Sequence, residues 1–169
     1  MLVPPFISFD AIGREELNSC LVAWGHKMGP WHRPNYGCEV FHGLCHNGEL
    51  VAVTAAARMI PEATAGLSRD EAFELGRVCA ARRDLNRATL RLWRAFVFPA
   101  FCKAHGWKWV ISYQDAALHS GDLYRFDGWV KLGHSNSGSD ARSGKRGRRK
   151  VIEGWCDDPD DRATRRLAA

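Results

Sequence analysis

The stretch Val110–Gly133, VISYQDAALHSGDLYRFDGWVKLG, decides the fold of this chain. It opens as an apolar run and changes at Ser112, Tyr113 and Asp115 to hydroxyl, phenol and carboxylate side chains. A polar turn and a short amphipathic stretch ending at Trp129 follow. Because α/β proteins place ligand chemistry at the carboxyl ends of buried strands, this pattern predicts either a binding site or a cap for the next helix.

Length and composition indicate one soluble domain. The chain has 169 residues, of which 46% are hydrophobic and 25% charged, as in ordinary globular proteins. We expect no secretory signal and no membrane span, because the opening residues lack a basic segment and no apolar run approaches ~20 residues. Six scattered cysteines indicate reduced thiols in a cytoplasmic protein. The predicted domain covers residues 1–156, with a flexible basic loop at 135–149 and a loose tail at 157–169.

The net charge of +5 is concentrated in two groups of basic residues. One group lies between residues 142 and 150 among glycine and serine, and the other between residues 80 and 95. Basic runs of this kind neutralise phosphates and favour nucleic-acid binding, although they also occur as solvated loops that keep a protein soluble. The candidate nucleic-acid contacts are Lys145, Arg146, Arg148, Arg149 and Lys150.

The order of predicted elements is α-β-β-β-α-β-α-β-β. The predicted helices cover 9–24 with Asp10 as cap, a long helix from Asn86 to His105 that Pro99 kinks or breaks, and 119–127. The predicted strands cover 38–45, 50–59, 73–80, 107–113, 129–134 and 150–155, and the Asn47-Gly48 turn makes a hairpin of the first two. Residues 25–36 and 61–69 are expected to be loops. This layout predicts an α/β fold with a central mixed sheet flanked by helices.

This element order resembles the Gcn-type N-acetyltransferases (GNAT), and more specifically the Mom family of phage Mu-like DNA-modification proteins, a divergent branch of that fold. The resemblance covers residues 17–155. The matching residues before and at the start of the long helix are Trp24, His26, Pro30, Glu74, Leu75, Arg77 and Asn86. Those after it are Ser112, Tyr113, Asp115, His119, Gly121, Tyr124, Trp129 and Gly133.

The resemblance implies conversion of adenine in phage DNA to N6-carbamoylmethyladenine, which protects the DNA from host restriction. The implied partner is double-stranded DNA in the cytoplasm of the bacterial host, and a dimer is one possible oligomeric state. Two other interpretations stay open: a GNAT-type N-acyltransferase that modifies a protein or a small-molecule amine, and a non-catalytic DNA-binding module.

The fold that the resemblance implies holds the donor at the amino terminus of the long helix, where N–H groups and the helix dipole favour phosphate. The turn at 80–86 lacks the usual glycines of that segment, so its backbone approaches phosphate less closely and arginine side chains would supply charge instead. The donor is therefore acyl-CoA or another activated glycine-like group, such as an aminoacyl-tRNA. The candidate donor-binding residues are Arg77, Arg82, Arg83, Asn86, Arg87 and Ser112.

Catalysis on the exocyclic amine of adenine needs a proton acceptor and an oriented base. The candidate catalytic residues are Asp115 and His26, either of which could take the proton, and Tyr124, at the position where GNAT enzymes often place a general acid. Tyr113 could stack on a base. His119 belongs either to the site or to the start of the next helix.

A metal site is a competing prediction for Cys38, His42, Cys45 and His46, which are all good zinc or iron ligands. Their spacing matches no standard knuckle. The odd separation of Cys38 and Cys45 would also direct them to opposite faces of a strand. We therefore expect buried thiols and no metal, and no spacing argues for a metal at His26 or Asp115.

Overall fold

A computed structural model of the chain describes residues 6–33, 38–135 and 149–168. The described strands are β1 (Ile7–Ala11), β2 (Glu39–His46), β3 (Glu49–Arg58), β4 (Ala63–Thr64), β5 (Leu67–Ser68), β6 (Ala72–Ala80), β7 (Trp109–Gln114), β8 (Val130–His134) and β9 (Val151–Trp155). The described helices are α1 (Arg14–Ala23), α2 (Leu85–Leu92), α3 (Phe98–His105), α4 (Asp122–Arg125) and α5 (Pro159–Ala168), and a π-helical turn, Trp93–Val97, joins α2 to α3.

Seven strands form a mixed sheet in the order β1-β2-β3-β6-β7-β9-β8, and β4 pairs with β5 as a separate hairpin. The β6–β7 pairing is parallel, whereas β1–β2, β2–β3, β7–β9 and β8–β9 are antiparallel. The predicted α/β fold with a central mixed sheet is confirmed. The chain divides into two compact units, one formed by Met1–Arg58 with Leu75–Ala104 and the other by Met59–Glu74 with His105–Ala169.

The core of the first unit lies between α1 and β3. Strand β3 buries six consecutive residues, so both of its faces are covered. Leu17 and Leu21 of α1 pack against alternate residues of β3, including Val53 and Ala55. The hairpin that precedes this packing is as predicted, since Asn47 and Gly48 both adopt positive φ (52° and 87°), which two-residue hairpin turns of type I′ require.

The core of the second unit lies on one face of β7, β8 and β9, where Trp109, Ile111, Val130 and Ile152 pack together. Gly154 belongs to this packing because a Cβ there would meet the Leu132 side chain at 2.4 Å.

The start of the chain departs from the prediction. The helix expected over 9–24 begins only at Arg14, and Asp10 lies in β1 instead of capping it. The physical reason is that the alternating segment Ile7–Ala11 pairs with β2, after which Gly13 interrupts the chain. The Gly13 N–H donates to the Glu16 carboxylate at 2.8 Å, which is how the first turn of α1 is capped.

Two other helix predictions need correction at their ends. The long helix begins at Leu85 with Asp84 before it, so Asn86 is its second residue and not its cap. The π-helical turn ends at Val97, two residues before Pro99, whose missing N–H and ring disturb the regular hydrogen-bond pattern of the turn before it. The helix expected over 119–127 is only the single turn Asp122–Arg125.

The tail expected to be loose over 157–169 instead contains α5. Asp158 accepts the N–H of Asp160 at 2.8 Å, and the helix carries acidic residues in its first turn and basic ones in its last, as the helix dipole favours. The indole of Trp109 donates to Asp161 of this helix at 2.9 Å. Most of the predicted loop at 135–149 lies outside the described residues. Within the described ranges, every helix is too short or too polar to form a membrane span.

Candidate active site

Helix α4 is tied to strand β7 by a hydrogen bond between two hydroxyl groups. Ser112 is buried in β7, and its Oγ lies 2.6 Å from the hydroxyl oxygen of Tyr124. The Tyr124 ring packs edge-on against Trp129 with ring centroids 5.1 Å apart, and the Trp129 indole donates to Asp127 at 3.1 Å. The phenol therefore has a fixed position between a strand hydroxyl and a buried indole.

The electrostatics of this position keep the phenol protonated. Burial, together with the negative charges of Glu153 and Glu74, raises the pKa of Tyr124 to about 12, although the Ser112 hydrogen bond acts in the opposite direction. At neutral pH, Tyr124 can therefore donate a proton but cannot accept one. This is the state that a general acid needs before it reacts.

Glu153 occupies the position opposite Ser112 in the sheet. It is the register partner of Ser112 on the β7 side and of Lys131 on the β8 side, so the three side chains share one face of the sheet. We call Lys131, Glu153 and Ser112 the cross-strand row. Glu153 is only 8% exposed; burial raises the pKa of its carboxyl group, and the Lys131 charge partly offsets that rise.

Asp115 ends β7 and shapes the turn that follows. Its carboxylate accepts the N–H of Ala117 at 3.0 Å, and its carbonyl accepts the N–H groups of Leu118 and His119 at 3.0 and 3.1 Å. The side chain is half-buried. The structure thus gives Asp115 a capping contact at the strand end, in the segment where the sequence predicted either a cap or a site.

The His119-x-Gly121 pattern has a structural cause. The buried Gln114 amide donates to the His119 carbonyl at 2.8 Å, which leaves the exposed His119 with a backbone role in the turn. Gly121 has φ +81°, and a Cβ there would meet the Gln114 Oε1 at 2.9 Å. Glycine is therefore required at 121 both for its backbone conformation and for the close approach of Gln114.

The remaining predicted catalytic residue, His26, lies in the first unit, where it follows α1. The helix ends at Gly25 with φ 63°, and the Gly25 and His26 N–H groups donate to the carbonyls of Val22 and Leu21 at 3.1 and 2.9 Å. This is a Schellman ending, in which glycine takes the left-handed position. The His26 Nδ1 accepts the Met28 N–H at 3.3 Å, so the basic nitrogen of the neutral ring is already engaged.

Arg77 lies beside the same loop. Its Nη1 donates to the Gly76 carbonyl at 2.8 Å and lies 3.6 Å from the Met28 sulfur. Its guanidinium carbon lies 5.3 Å from the ring centroid of the buried Trp31, whose indole donates to Glu39 at 3.0 Å. Arg77 therefore contacts the loop that contains His26 and makes a cation–π contact with Trp31.

The turn before α2 is charged and closed by its own hydrogen bonds. The N–H groups of Leu85 and Asn86 donate to the carbonyls of Arg82 and Arg83 at 3.1 and 3.2 Å. The Arg82 guanidinium binds the carboxylate of Asp84 with a shortest contact of 2.5 Å, and these side chains are 74% and 60% exposed. Two helix-terminal N–H groups are thus engaged in the turn itself, and a carboxylate stands at the helix end.

The predicted donor-binding residues of this turn would therefore bind an anionic carrier through the positive charges of their side chains and not through free backbone N–H groups. Arg83 and Arg87 are both exposed, the second in the first turn of α2. A guanidinium group matches phosphate geometry and binds it through charge-assisted hydrogen bonds. Ser112, the remaining predicted donor residue, uses its hydroxyl in the contact with Tyr124.

The predicted nucleic-acid contacts fall in two places. Tyr113 packs against the apolar core of the second unit, with its hydroxyl 3.3 Å from the Thr64 Oγ1. Lys145, Arg146 and Arg148 lie outside the described residues. The sequence therefore predicts stacking for a ring that the structure packs into a core.

Arg149 and Lys150 stand at the base of the predicted basic loop. Ser135 and Lys150 exchange hydrogen bonds of 2.8 and 2.9 Å, which close the β8–β9 pairing there. The pKa of His134 is lowered, first by its partial desolvation and then by the positive charges of Lys131 and Arg149. The field at this end of the pairing is therefore positive.

Sequence reasoning missed Glu153 and Lys131. The available signal was a single acidic residue in the middle of Val151–Trp155, an otherwise apolar strand. In the described part of the chain, no group of three or more His, Cys, Asp or Glu side chains is arranged to hold a metal ion.

The fold is that of the GNAT-family acetyltransferases, as solved structures show. An aminoglycoside 6'-acetyltransferase type Ii has a TM-score of 0.61 at 10% identity over 90% of this chain and 98% of that chain. A probable acetyltransferase from Staphylococcus epidermidis has a TM-score of 0.62 at 11% identity over 90% of this chain and 100% of that chain. The ribosomal-protein-S18-alanine N-acetyltransferase from Escherichia coli has a TM-score of 0.60 at 13% identity over 89% of this chain and 94% of that chain. No protein-family model matches the sequence. No curated protein matches it either.

Proposed function

We propose that this protein is an N-acyltransferase that moves an acyl group from an activated donor to a primary amine, with Tyr124 as the general acid. The observation that carries the proposal is the 2.6 Å contact between Ser112 and a half-buried Tyr124 whose pKa is raised to about 12. A positioned acid of this kind contributes about 10²- to 10⁴-fold to a rate. The likeness of the fold to acetyltransferases supports the same reaction class.

The proposed donor is acyl-CoA, and Arg83 and Arg87 are the residues that would hold its phosphates. Coenzyme A supplies the acyl group as a thioester. Arg82 contributes less in this account because Asp84 already binds its guanidinium group. An aminoacyl-tRNA or another activated glycine-like donor carries phosphates as well, and would meet the same guanidinium groups.

The proposed proton acceptor for the amine is Asp115. Asp115 places a carboxylate at the end of β7, whereas the basic nitrogen of neutral His26 already accepts the Met28 N–H. His26 is therefore the second choice of proton acceptor. Arg77, which contacts Met28 in the loop that contains His26, would help to hold this proton acceptor.

The first experiment measures thiol release from acetyl-CoA by the purified protein. The acceptors are an aminoglycoside, a polyamine, a peptide with a free amino terminus and duplex DNA. We expect release above the no-enzyme rate with at least one amine and loss of that release in Tyr124→Phe. Equal release by the wild type and Tyr124→Phe would contradict the proposal.

A second candidate function is modification of adenine in double-stranded DNA to N6-carbamoylmethyladenine in the cytoplasm of a phage-infected bacterium. The residue series shared with the Mom family and the basic segment 142–150 motivate it. The positive charges of Lys131 and Arg149 around His134, at the described end of that segment, support contact with a polyanion.

The test of this candidate is mass spectrometry of nucleosides from plasmid DNA of cells that express the protein. A modified deoxyadenosine that disappears in Asp115→Ala would support it. Unmodified deoxyadenosine alone, in cells that contain soluble protein, would contradict it and leave the small-molecule or protein amine as acceptor. Gel filtration of the purified protein tests whether it is a dimer.

A further inference from the structure

We propose that Glu153 is a positioning residue for Tyr124: with Lys131 and Ser112 it forms a cross-strand row that keeps the phenol in its protonated, proton-donating form. Its catalytic meaning rests on the proposed function, but the arrangement itself is tested without any substrate.

The geometry of the sheet carries this inference. Ser112 and Glu153 are directly opposite each other in the β7–β9 pairing, as are Glu153 and Lys131 in the β8–β9 pairing. Opposite residues in antiparallel strands have Cβ atoms about 4.5–5.5 Å apart on the same face. Because the Tyr124 hydroxyl lies 2.6 Å from the Ser112 Oγ, the phenol sits beside a carboxylate held in a fixed register.

Burial makes this carboxylate effective. Glu153 is 8% exposed and Ser112 is 3% exposed, so water screens the interaction between Glu153 and the phenol only weakly. A second negative charge next to an ionised carboxylate is unfavourable, so the Glu153 charge opposes ionisation of Tyr124 to tyrosinate and raises the pKa of the phenol. Lys131 is exposed, and its positive charge lowers the pKa of Glu153 in opposition to burial, which raises it.

The charged groups on α4 and in the turn after it have partners of their own. On α4, Asp122 and Arg125 pair with each other at 2.6 Å and are 49% and 70% exposed. Asp127 accepts the Trp129 indole. Glu74 on β6 adds a negative charge that acts in the same direction as Glu153 but is a smaller cause of the Tyr124 shift. Glu153 is therefore the group to change.

The experiment is a pH titration of the whole protein with tyrosine isotope-labelled at Cζ, followed by NMR. The chain contains only three tyrosines, and Tyr124→Phe identifies the signal of interest. In the wild type, with a pKa of about 12, we expect Tyr124 to be about one tenth ionised at about pH 11. In Glu153→Gln, we expect the midpoint to fall by about one pH unit, so that about half is ionised there.

Three variants separate this role from a loss of packing. Glu153→Asp keeps a carboxylate and should return ionisation toward the wild-type value. Ser112→Ala removes a hydrogen bond that lowers the Tyr124 pKa, so it should delay ionisation, whereas a loosened site would hasten it. Glu62→Gln, an identical change at an exposed position of the same unit, should leave the Tyr124 signal unchanged.

Wild-type ionisation of Tyr124 in a folded Glu153→Gln, with folding checked by the amide spectrum, would overturn the proposal. If that variant fails to fold, it is replaced by Lys131→Gln, which alters an exposed side chain. In this variant the titration midpoint of the Glu153 carboxyl carbon must rise. An unchanged midpoint would show that Lys131 and Glu153 do not interact and would overturn the proposal. Failure of acyl transfer in every assay would remove the proposed function but leave these titrations as they are.

Discussion

The segment β7–α4 and the turn before α2 are built on opposite principles. In β7–α4, Ser112, Gln114 and Tyr124 have partners at 2.6–2.8 Å; the first two side chains are buried and the phenol is half-buried. In the turn before α2, the Arg82–Asp84 ion pair is 74% and 60% exposed, and the helix end carries a carboxylate. A buried, preorganised polar group can hold a proton against solvent, whereas exposed charges attract an anion weakly and in a salt-dependent way.

Under the proposed function, the two regions would have separate tasks. The β7–α4 segment would position a proton-donating phenol, and the turn before α2 would supply positive charge to the anionic carrier of the donor. Substitutions in β7–α4 should therefore change rates and pH dependence. Those in the turn should change affinity and salt dependence.

The largest expected effect is that of Tyr124→Phe. We expect kcat for acyl transfer to fall about 10²- to 10³-fold with little change in the donor KM, because the variant removes only the proton donor. Steady-state thiol release with the best acceptor measures both constants. A fall in kcat of less than about threefold would show that the phenol takes no part in proton transfer.

The next effect concerns packing behind β7. Gly154→Ala places a Cβ 2.4 Å from the Leu132 side chain, and such overpacking costs about 1–3 kcal/mol of unfolding free energy. Arg83→Ala at the exposed turn is the matched comparison and should stay within about 0.5 kcal/mol of the wild type. Urea denaturation measures both. Equal destabilisation would show that the turn is as tightly integrated as the sheet.

A smaller effect is expected from Arg83→Gln and Arg87→Gln. Each should weaken coenzyme A binding about fivefold at low salt, because exposed ion pairs contribute about 1 kcal/mol or less. Calorimetry at low and at high salt makes the measurement. The difference between variant and wild type should shrink at high salt. A loss that is independent of salt would show instead that these arginines act through packing.

The smallest effect is the pH dependence of stability at Glu153. Since burial raises its folded pKa above the ordinary value of 4.5, the folded state binds the proton more tightly than the unfolded state, and stability falls as pH rises between the two values. Glu153→Gln should therefore be more stable than the wild type at neutral pH, and this advantage should disappear below the ordinary pKa. Thermal unfolding at both pH values measures it. An advantage that grows in acid would contradict the raised pKa.

The sheet could be predicted from the sequence better than the site, because most strands and turns are marked by residues that are neighbours along the chain. Asn47-Gly48 and the strand 129–134 depend on neighbours along the chain, and both predictions are confirmed. The first strand was missed because the alternation of Ile7–Ala11 covers only five residues, and its pairing with β2 is a contact between segments far apart in the sequence. The α5 helix was missed although Pro159, two acidic and two basic residues marked its ends.

The site depends on register between distant segments. Ser112 and Tyr124 were found as candidates because they lie in one short stretch, but the contact between them arises from the way α4 returns to β7. Glu153 meets Ser112 only through the β7–β9 register, 41 positions further along the sequence. The apolar packing of Tyr113 likewise follows from alternation in β7, which turns adjacent residues to opposite faces.

The most direct test of separate tasks in an acyltransferase is a double-mutant cycle between Tyr124→Phe and the Arg83→Gln/Arg87→Gln pair, with kcat/KM for acyl transfer from acetyl-CoA as the readout. The account predicts that the two losses of transition-state stabilisation add to within about 0.5 kcal/mol, with the first in kcat and the second in the donor KM. A coupling above about 1 kcal/mol, or both losses in the same constant, would contradict it.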